Sequence, residues 1–186
     1  MSYMICSQTG APKMDTLPAY KVVDYPLEQR DYKPYAKVRL CMTPTELVLE
    51  LWSYEMVPCK ESRMQAVFTT RNSQNQIFVE NWSDGTLRCF VRSPAGDRPL
   101  SVHSHTIDNE DHLGYYWGIR AYLPRTTIEE LLGSGVTAVG SVLLGNIYKL
   151  SDNSEKPHKG SLYPAAFATG QEYALASMGE FEIVNY

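Results

Sequence analysis

Apolar and polar residues alternate along much of this chain, which is the pattern of half-buried β-strands. The alternation is clearest over 36–52 and predicts a strand, a turn at Thr43-Pro44-Thr45 and a second strand with one buried face. Further strands are predicted at 64–69, 76–82, 86–92, 101–107, 114–123, 136–150 and 181–186. Because turn-forming residues separate these short runs, the sequence predicts an all-β fold, an antiparallel β-sandwich of the jelly-roll or immunoglobulin-like type.

One short helix interrupts the strands. Thr126 or Thr127 can cap its start and Gly133 can end it, so we expect a helix over 126–132. The apolar run 136–150 that follows is too long for one straight strand, and a bend or bulge is expected at Gly140 or Gly145.

The chain is predicted to be a single globular unit with an extended start. Its 186 residues, with 44% hydrophobic and 20% charged residues, suit one domain of ordinary size. Residues 1–35 are rich in proline and lack periodicity, so we expect an extended N-terminal lead-in packed on the domain. The sandwich itself is assigned to 36–186.

Charge and hydropathy exclude two classes of partner. The net charge is −4 and there is no basic run, so nucleic acid is not expected. No apolar run is long enough to span a bilayer, so no membrane segment is expected. The first residues lack a basic region followed by an apolar one, which favours a cytoplasmic protein; if a signal was removed, the protein is extracellular.

The four cysteines show no metal-binding or redox motif. They are Cys6, Cys41, Cys59 and Cys89, without a C-x-x-C pair among them. We expect free thiols in a reducing compartment, and a disulfide is the alternative for an exported chain.

Two groups of residues could bind a metal, although we expect no cofactor. His103 and His105 are two apart on a predicted strand and point to the same side, so they could share a metal with His112 or Asp111 as third ligand. The alternatives are a polar strand face or hydrogen bonding to a sugar. The run Asp108–Asp111 is expected to be a solvated loop, with a calcium site as the alternative.

The last third of the chain resembles a known family. The stretches that carry this resemblance are Gly145-Asn146-Ile147-Tyr148-Lys149, Pro157-His158, Tyr163-Pro164 and Met178–Ile183. They resemble the closing strands of the family 9 carbohydrate-binding modules and the DOMON-related sandwiches. Upstream, Tyr116–Pro124 leading into an apolar helix at 128–132 is similar to the middle of that family, so the resemblance covers roughly 36–186.

The resemblance implies non-catalytic sugar binding between aromatic rings. Tyr163-Pro164 stands where relatives often have Trp-Pro, so the resemblance makes Tyr163 a candidate stacking residue. From the residues alone, Trp52, Trp82 and Trp117 are candidate platforms, because a sugar ring packs its C–H groups on an aromatic face. Core packing is the alternative for each tryptophan.

Polar partners for a sugar are expected close to these rings. The candidates are Asn81, His103, Arg120 and Asn146. Asn146 and Arg120 could instead bond neighbouring strands or loops. We expect a shallow pocket at one end of the sandwich or on its concave face.

Catalysis has little support in the sequence. There is no G-x-S-x-G, P-loop or H-E-x-x-H motif. Carboxylate pairs for glycoside cleavage exist at Glu46/Glu50 and within 108–111, but strand faces and loops carry such charges routinely. The predicted function is a non-catalytic domain that binds a carbohydrate or small polar ligand. The alternatives are an accessory glycoside-acting enzyme and an interaction domain with no sugar ligand.

Overall fold

The computed structural model describes residues 2–31, 33–55, 57–111 and 113–186. In these ranges the strands are β1 Tyr3–Ser7, β2 Tyr20–Val22, β3 Tyr35–Met42, β4 Glu46–Tyr54, β5 Ser62–Thr69, β6 Gln76–Trp82, β7 Leu87–Ser93, β8 Gly96–Pro99, β9 His103–Asp111, β10 Gly114–Pro124, β11 Val142–Ser151, β12 His158–Ser161 and β13 Gly179–Asn185. The helix α1 spans Arg125–Leu132, and 3₁₀ turns occur at Met14–Thr16, Phe167–Thr169 and Leu175–Ser177.

The strands form one strongly curled sheet whose two halves pack face to face. The strand order is β8-β7-β6-β5-β11-β13-β1-β3-β4-β10-β9, with β12 beside β11 and β2 beside β3. The expected all-β sandwich with one short helix is therefore confirmed. The sheet is mixed, however, because β1 pairs in parallel with both β13 and β3. β1 has only five residues, and its apolar and polar positions do not alternate clearly, so the sequence did not predict this central strand.

The main core lies between the two halves of the sheet. Inward residues of β4 and β10, such as Leu49 and Ile119, share one apolar cluster with Ala66 and Phe68 of β5. Each outer face is partly covered. Met14 and Leu17 pack on the outside of β1, β3 and β4, and Phe167 packs on the outside of β5, β6, β7 and β11. Most of the alternating residues predicted as buried are buried.

Two local expectations were wrong in detail. Residues 136–141 form turns, and β11 begins only at Val142; Gly140, at φ +88°, supplies the expected bend. β9 continues to Asp111 because it stays paired with β10, so the acidic run is an edge strand and not a loop. Residues 94–95 turn the chain between β7 and the short strand β8.

The helix lies where it was expected, with a different start. Pro124 is its N-cap, and no side chain caps it, so the expected threonine cap was wrong. Gly133 ends the helix at φ +125°, a conformation that favours glycine.

The segment before residue 36 supplies β1 and β2 to the sheet. The division of the chain at that position stays a prediction. The four cysteines are free thiols in the structure. Among the described residues, no helix has the length and apolar character needed to cross a bilayer.

Candidate functional site

The outer face of β3, β4, β9 and β10 carries aromatic and charged side chains in register; we call it the Trp52 face. Trp52 lies opposite Lys37 on one side and Gly118 on the other. Glu50 lies between Arg39 and Arg120. Since side chains on one face recur every second residue, the sheet places these groups side by side.

A pocket of about 230 Å³ opens on the Trp52 face. Its lining consists of Asp15, Lys37, Arg39, Glu50, Trp52, Tyr54, Ile107, Asp111 and Tyr116. Three aromatic rings and five charged groups thus share one small concave surface. A few convergent polar groups beside apolar walls are typical of small-ligand sites.

Trp52 forms the floor of this pocket. Its indole is buried, with the Lys37 ammonium 4.7 Å and the Arg39 guanidinium 5.1 Å from the ring centre. Both distances are in the range of cation–π attraction. Gly118 lies opposite Trp52, and an added Cβ there would stand 2.1 Å from the backbone oxygen of Leu51 and 2.7 Å from the Cβ of Trp52. Any larger residue at 118 would therefore push β10 away from β4, because the nearest clash is with backbone.

Glu50 is the buried carboxylate of the pocket. It accepts a hydrogen bond of 2.8 Å from Arg120 Nε and lies 3.6 Å from Arg39 Nη1. Arg39 Nη1 also donates to the exposed carboxylate of Asp15 at 3.2 Å. The Nε of Arg39 is buried and has no hydrogen-bond partner among the described residues. A buried donor without a partner is energetically costly, and this one belongs to a side chain that lines the pocket.

Burial shifts the pKa of two further groups in the pocket. Partial burial lowers the pKa of Lys37, and the neighbouring charge of Arg39 lowers it further. Burial also raises the pKa of Tyr54 to about 12, helped by its hydrogen bond of 2.8 Å to Asp111 Oδ2. The Tyr54 hydroxyl therefore stays protonated and donates to the carboxylate.

His103 and His105 lie at the edge of the same face. Their Nε2 atoms are 3.2 Å apart, and both rings contact the ring of Tyr122. His105 lies opposite Arg120 in the register of β9 and β10. His112, the expected third metal ligand, lies outside the described residues.

Trp82 and Trp117 line a separate cavity of about 140 Å³ with Asp84, Asp108 and Tyr115. Trp82 is half-buried under the guanidinium of Arg63, 5.0 Å from its ring centre. Trp117 is almost fully buried and belongs to the main core. The structure therefore brings two of the three candidate tryptophans together, in a different pocket from that of Trp52.

The indole of Trp117 is held by a buried ionic cluster. Its Nε1 donates to Glu55 Oε2 at 3.1 Å, and Lys149 Nζ lies 3.0 Å from the same oxygen. The Lys149 ammonium also contacts Ser62 Oγ and lies 2.8 Å from His158 Nε2. Lys149 and His158 are residues of the family-like C-terminal stretch. In the structure they connect β11 and β12 to the end of β4.

Asn146 and Tyr163 hold the segment 162–178 on the protein. The Asn146 amide donates to the backbone oxygens of Tyr163 and Ser177 at 2.9 and 2.8 Å. The Tyr163 hydroxyl donates to the Glu180 backbone oxygen, and its ring contacts the rings of Tyr3 and Phe181. Asn81 is fully buried in β6. Ligand roles for these three residues stay predictions, and none of them lies on the Trp52 face.

A second polar cluster lies on the outer face of β5, β6 and β7. Gln65 Nε2 donates to Glu80 Oε1 at 2.6 Å, and the Tyr173 hydroxyl donates to Gln65 Oε1 at 2.7 Å. The other Glu80 oxygen is buried, has no hydrogen-bond partner within the described part of the chain, and lies 3.8 Å from Arg88 Nη1. Phe78 beneath this cluster is fully buried, and the guanidinium of Arg92 lies 4.5 Å from its ring centre.

Sequence reasoning placed Trp52, Arg120 and His103 among the candidates, and the structure brings them to one face. The candidates predicted from the sequence did not include Lys37, Arg39 and Tyr116, which line the same pocket as Trp52. The alternation of 36–42 and 47–52 contained a usable signal, because pairing the two predicted strands puts Lys37 and Arg39 on the face of Trp52. Pairing of predicted strands could not place Asp111 on this face, since the sequence predicted a loop at 108–111.

The described residues contain no group of three or more His, Cys, Asp or Glu side chains arranged to hold a metal ion. On the edge strand β9, Asp111 points to the face opposite that of Asp108 and Glu110, so the three carboxylates do not meet.

No protein-family model and no curated protein matches the chain. Solved structures do. A Bacteroides uniformis protein provisionally assigned as carbohydrate-binding superposes with a TM-score of 0.74 at 16% identity, over 98% of each chain.

A family 9 carbohydrate-binding module from Caldicellulosiruptor kristjanssonii also superposes on the chain. Its glucose complex matches with a TM-score of 0.63 at 10% identity, over 98% of this chain and 96% of that one. Its cellotriose complex gives 0.64 at 10% identity, over 98% and 94%. Identities this low compare folds, and along nearly its whole length this chain has the fold of the family 9 carbohydrate-binding modules.

Proposed function

We propose that the protein is a non-catalytic carbohydrate-binding domain and that the pocket on the Trp52 face binds a neutral sugar. The observation that carries this proposal is the combination, in one 230 Å³ pocket, of three aromatic rings with an unpaired buried Arg39 Nε. The likeness to modules solved with glucose and cellotriose supports a sugar as ligand.

The pocket chemistry suits a neutral sugar. The aromatic walls pack against C–H groups of the ring, while carboxylates and cations bond its hydroxyls. The lining contains two cations, Lys37 and Arg39, and three carboxylates, Asp15, Glu50 and Asp111. The two signs largely offset each other, so the lining has no excess positive charge to select an acidic sugar.

The proposal is tested by calorimetric titration with glucose, xylose and cellotriose. We expect modest affinity, since an aromatic contact is worth about 1 kcal/mol. Trp52→Ala and Glu50→Gln should each weaken binding about tenfold, which corresponds to about 1.4 kcal/mol. Trp82→Ala is the matched control and should leave the affinity unchanged. Thermal melting of each variant shows whether it is folded.

A second location for the same function is favoured by one observation. One oxygen of the buried Glu80 carboxylate, beside Gln65 and Tyr173, accepts no hydrogen bond from any residue that the structure describes. If Tyr173→Ala abolishes binding while folded Trp52→Ala binds normally, the sugar site lies there and the assignment to the Trp52 face is wrong. If no sugar binds at millimolar concentration, the interaction-domain alternative is favoured. Release of reducing sugar from cellotriose would favour the enzyme.

A further inference from the structure

The exposed imidazoles of His103 and His105 converge on one point in front of the edge strand β9. Their Nε2 atoms are 3.2 Å apart and the ring planes are nearly perpendicular, at 87°. Two nitrogens bound at about 2.0–2.1 Å to one tetrahedral Zn²⁺ lie about 3.3 Å apart. The separation of the imidazole nitrogens is therefore close to that of two ligands of the same ion.

The rings are held in this arrangement by what lies behind them. The ring of Tyr122 lies 5.3 Å from that of His103 and 5.6 Å from that of His105. The i, i+2 spacing on a strand fixes the common direction of both side chains. Because the two imidazoles are already positioned, they lose little side-chain freedom when a metal ion binds.

The surroundings allow a cation to approach. Arg120, which faces His105 in the register, has its guanidinium bonded to the Glu50 carboxylate, so its charge is compensated. Both histidines are exposed, and β9 pairs only with β10 among the described residues. Water can therefore complete the coordination shell.

We propose that His103 and His105 form a two-histidine site for a divalent transition metal of the zinc type. The ring that donates the hydrogen bond between the two imidazoles shifts its proton from Nε2 to Nδ1 through solvent, and both neutral imidazoles then bind the ion through their Nε2 lone pairs. Imidazole ligands favour zinc, copper and nickel, whereas calcium and magnesium favour oxygen ligands. The proposal does not depend on sugar binding.

The test is calorimetric titration of the whole chain with Zn²⁺ in a buffer without chelating groups. We expect saturable binding of one ion per chain. His103→Ala and His105→Ala should each weaken it about tenfold or more, because even changes behind a metal ligand cost this much. Ser104→Ala, between the two histidines on the opposite side of β9, should bind normally, and Ca²⁺ should give no binding.

A second measurement does not need folded variants. Histidine ¹⁵N spectra of the wild-type protein should show Zn²⁺ perturbing the Nε2 signals of His103 and His105 and not that of buried His158. The proposal is overturned if Zn²⁺ does not bind at millimolar concentration, or if the double variant His103→Ala/His105→Ala binds as tightly as the wild type. It is also overturned if affinity is lost on His112→Ala but kept on His103→Ala.

Discussion

The ammonium of Lys149 lies 3.0 Å from the carboxylate of Glu55, and both groups are buried. Burial lowers the pKa of Lys149 to about 8, and the charge of Glu55 opposes this effect. Burial by itself would raise the pKa of Glu55, but the Lys149 charge and the hydrogen bond from Ser62 Oγ outweigh it, and the net shift is downward. At neutral pH the pair is therefore ionic, and it joins the end of β4 to β11.

We predict that Lys149→Ala lowers the free energy of unfolding by about 3–5 kcal/mol, because it leaves a buried carboxylate without its cation. Urea denaturation followed by tryptophan fluorescence measures this loss. Arg71→Ala is the matched control. It breaks the exposed pair Arg71–Glu180 and should cost less than about 1 kcal/mol. A similar small loss for both variants would mean that the buried pair does not stabilise the fold.

We predict that the stability conferred by His158 falls in mild acid. Burial, and next the charge of Lys149, lower the pKa of His158 from 6.5 to about 4, while Glu55 raises it and Arg30 lowers it. Between these two values the unfolded chain binds a proton that the folded chain does not. The contribution of His158 to the free energy of unfolding is therefore fully present above about pH 6.5. It is lost as the pH falls toward 4, by up to about 3 kcal/mol.

The measurement is urea denaturation of wild type and His158→Gln at several pH values from 7 to 4.5. The glutamine can still accept from Lys149 but cannot take up a proton. The difference in unfolding free energy between the two proteins should shrink as the pH falls, because the other titrating groups are common to both. Parallel curves would contradict the prediction.

We predict that Asn146→Ala destabilises the protein by about 2 kcal/mol or more without changing sugar affinity. It removes two donors and the oxygen that accepts from Tyr163 N at 3.0 Å, leaving buried backbone groups unpaired. Asn153→Ala, in a half-buried loop position, is the control and should cost less. Thermal melting and sugar titration check both parts. A stable variant with weaker sugar binding would instead place Asn146 in the site.

We predict that one thiol reacts quickly in the folded protein and four react after unfolding without reductant. Burial raises the pKa of Cys6, of Cys41 to about 11 and of Cys89 to about 12, so these thiols stay protonated and inaccessible. Cys59 is only partly buried. Thiol titration with a chromogenic disulfide measures both numbers. Two titratable thiols after unfolding would reveal a disulfide and contradict the prediction.

The sequence by itself determined most of the strands, because the alternation that buries one face of a strand is a local property. Leu47, Leu49 and Leu51 are buried as their spacing requires, and β6 has the bounds predicted for the strand at 76–82. The short helix was predicted within one residue at its start, and only the residue that caps it was wrong. The family resemblance predicted the fold that the structural comparison shows.

The tertiary structure alone decided where the polar groups meet. The parallel pairing of β1 and the contact of Lys149 with Glu55 join residues that are far apart in the chain, and no local period encodes such contacts. The same holds for the pocket, where Asp15 and Asp111 reach Trp52 only because three separate segments pack together. Alternation specifies which side of a strand is buried; the partner on the exposed side depends on how the whole sheet curls.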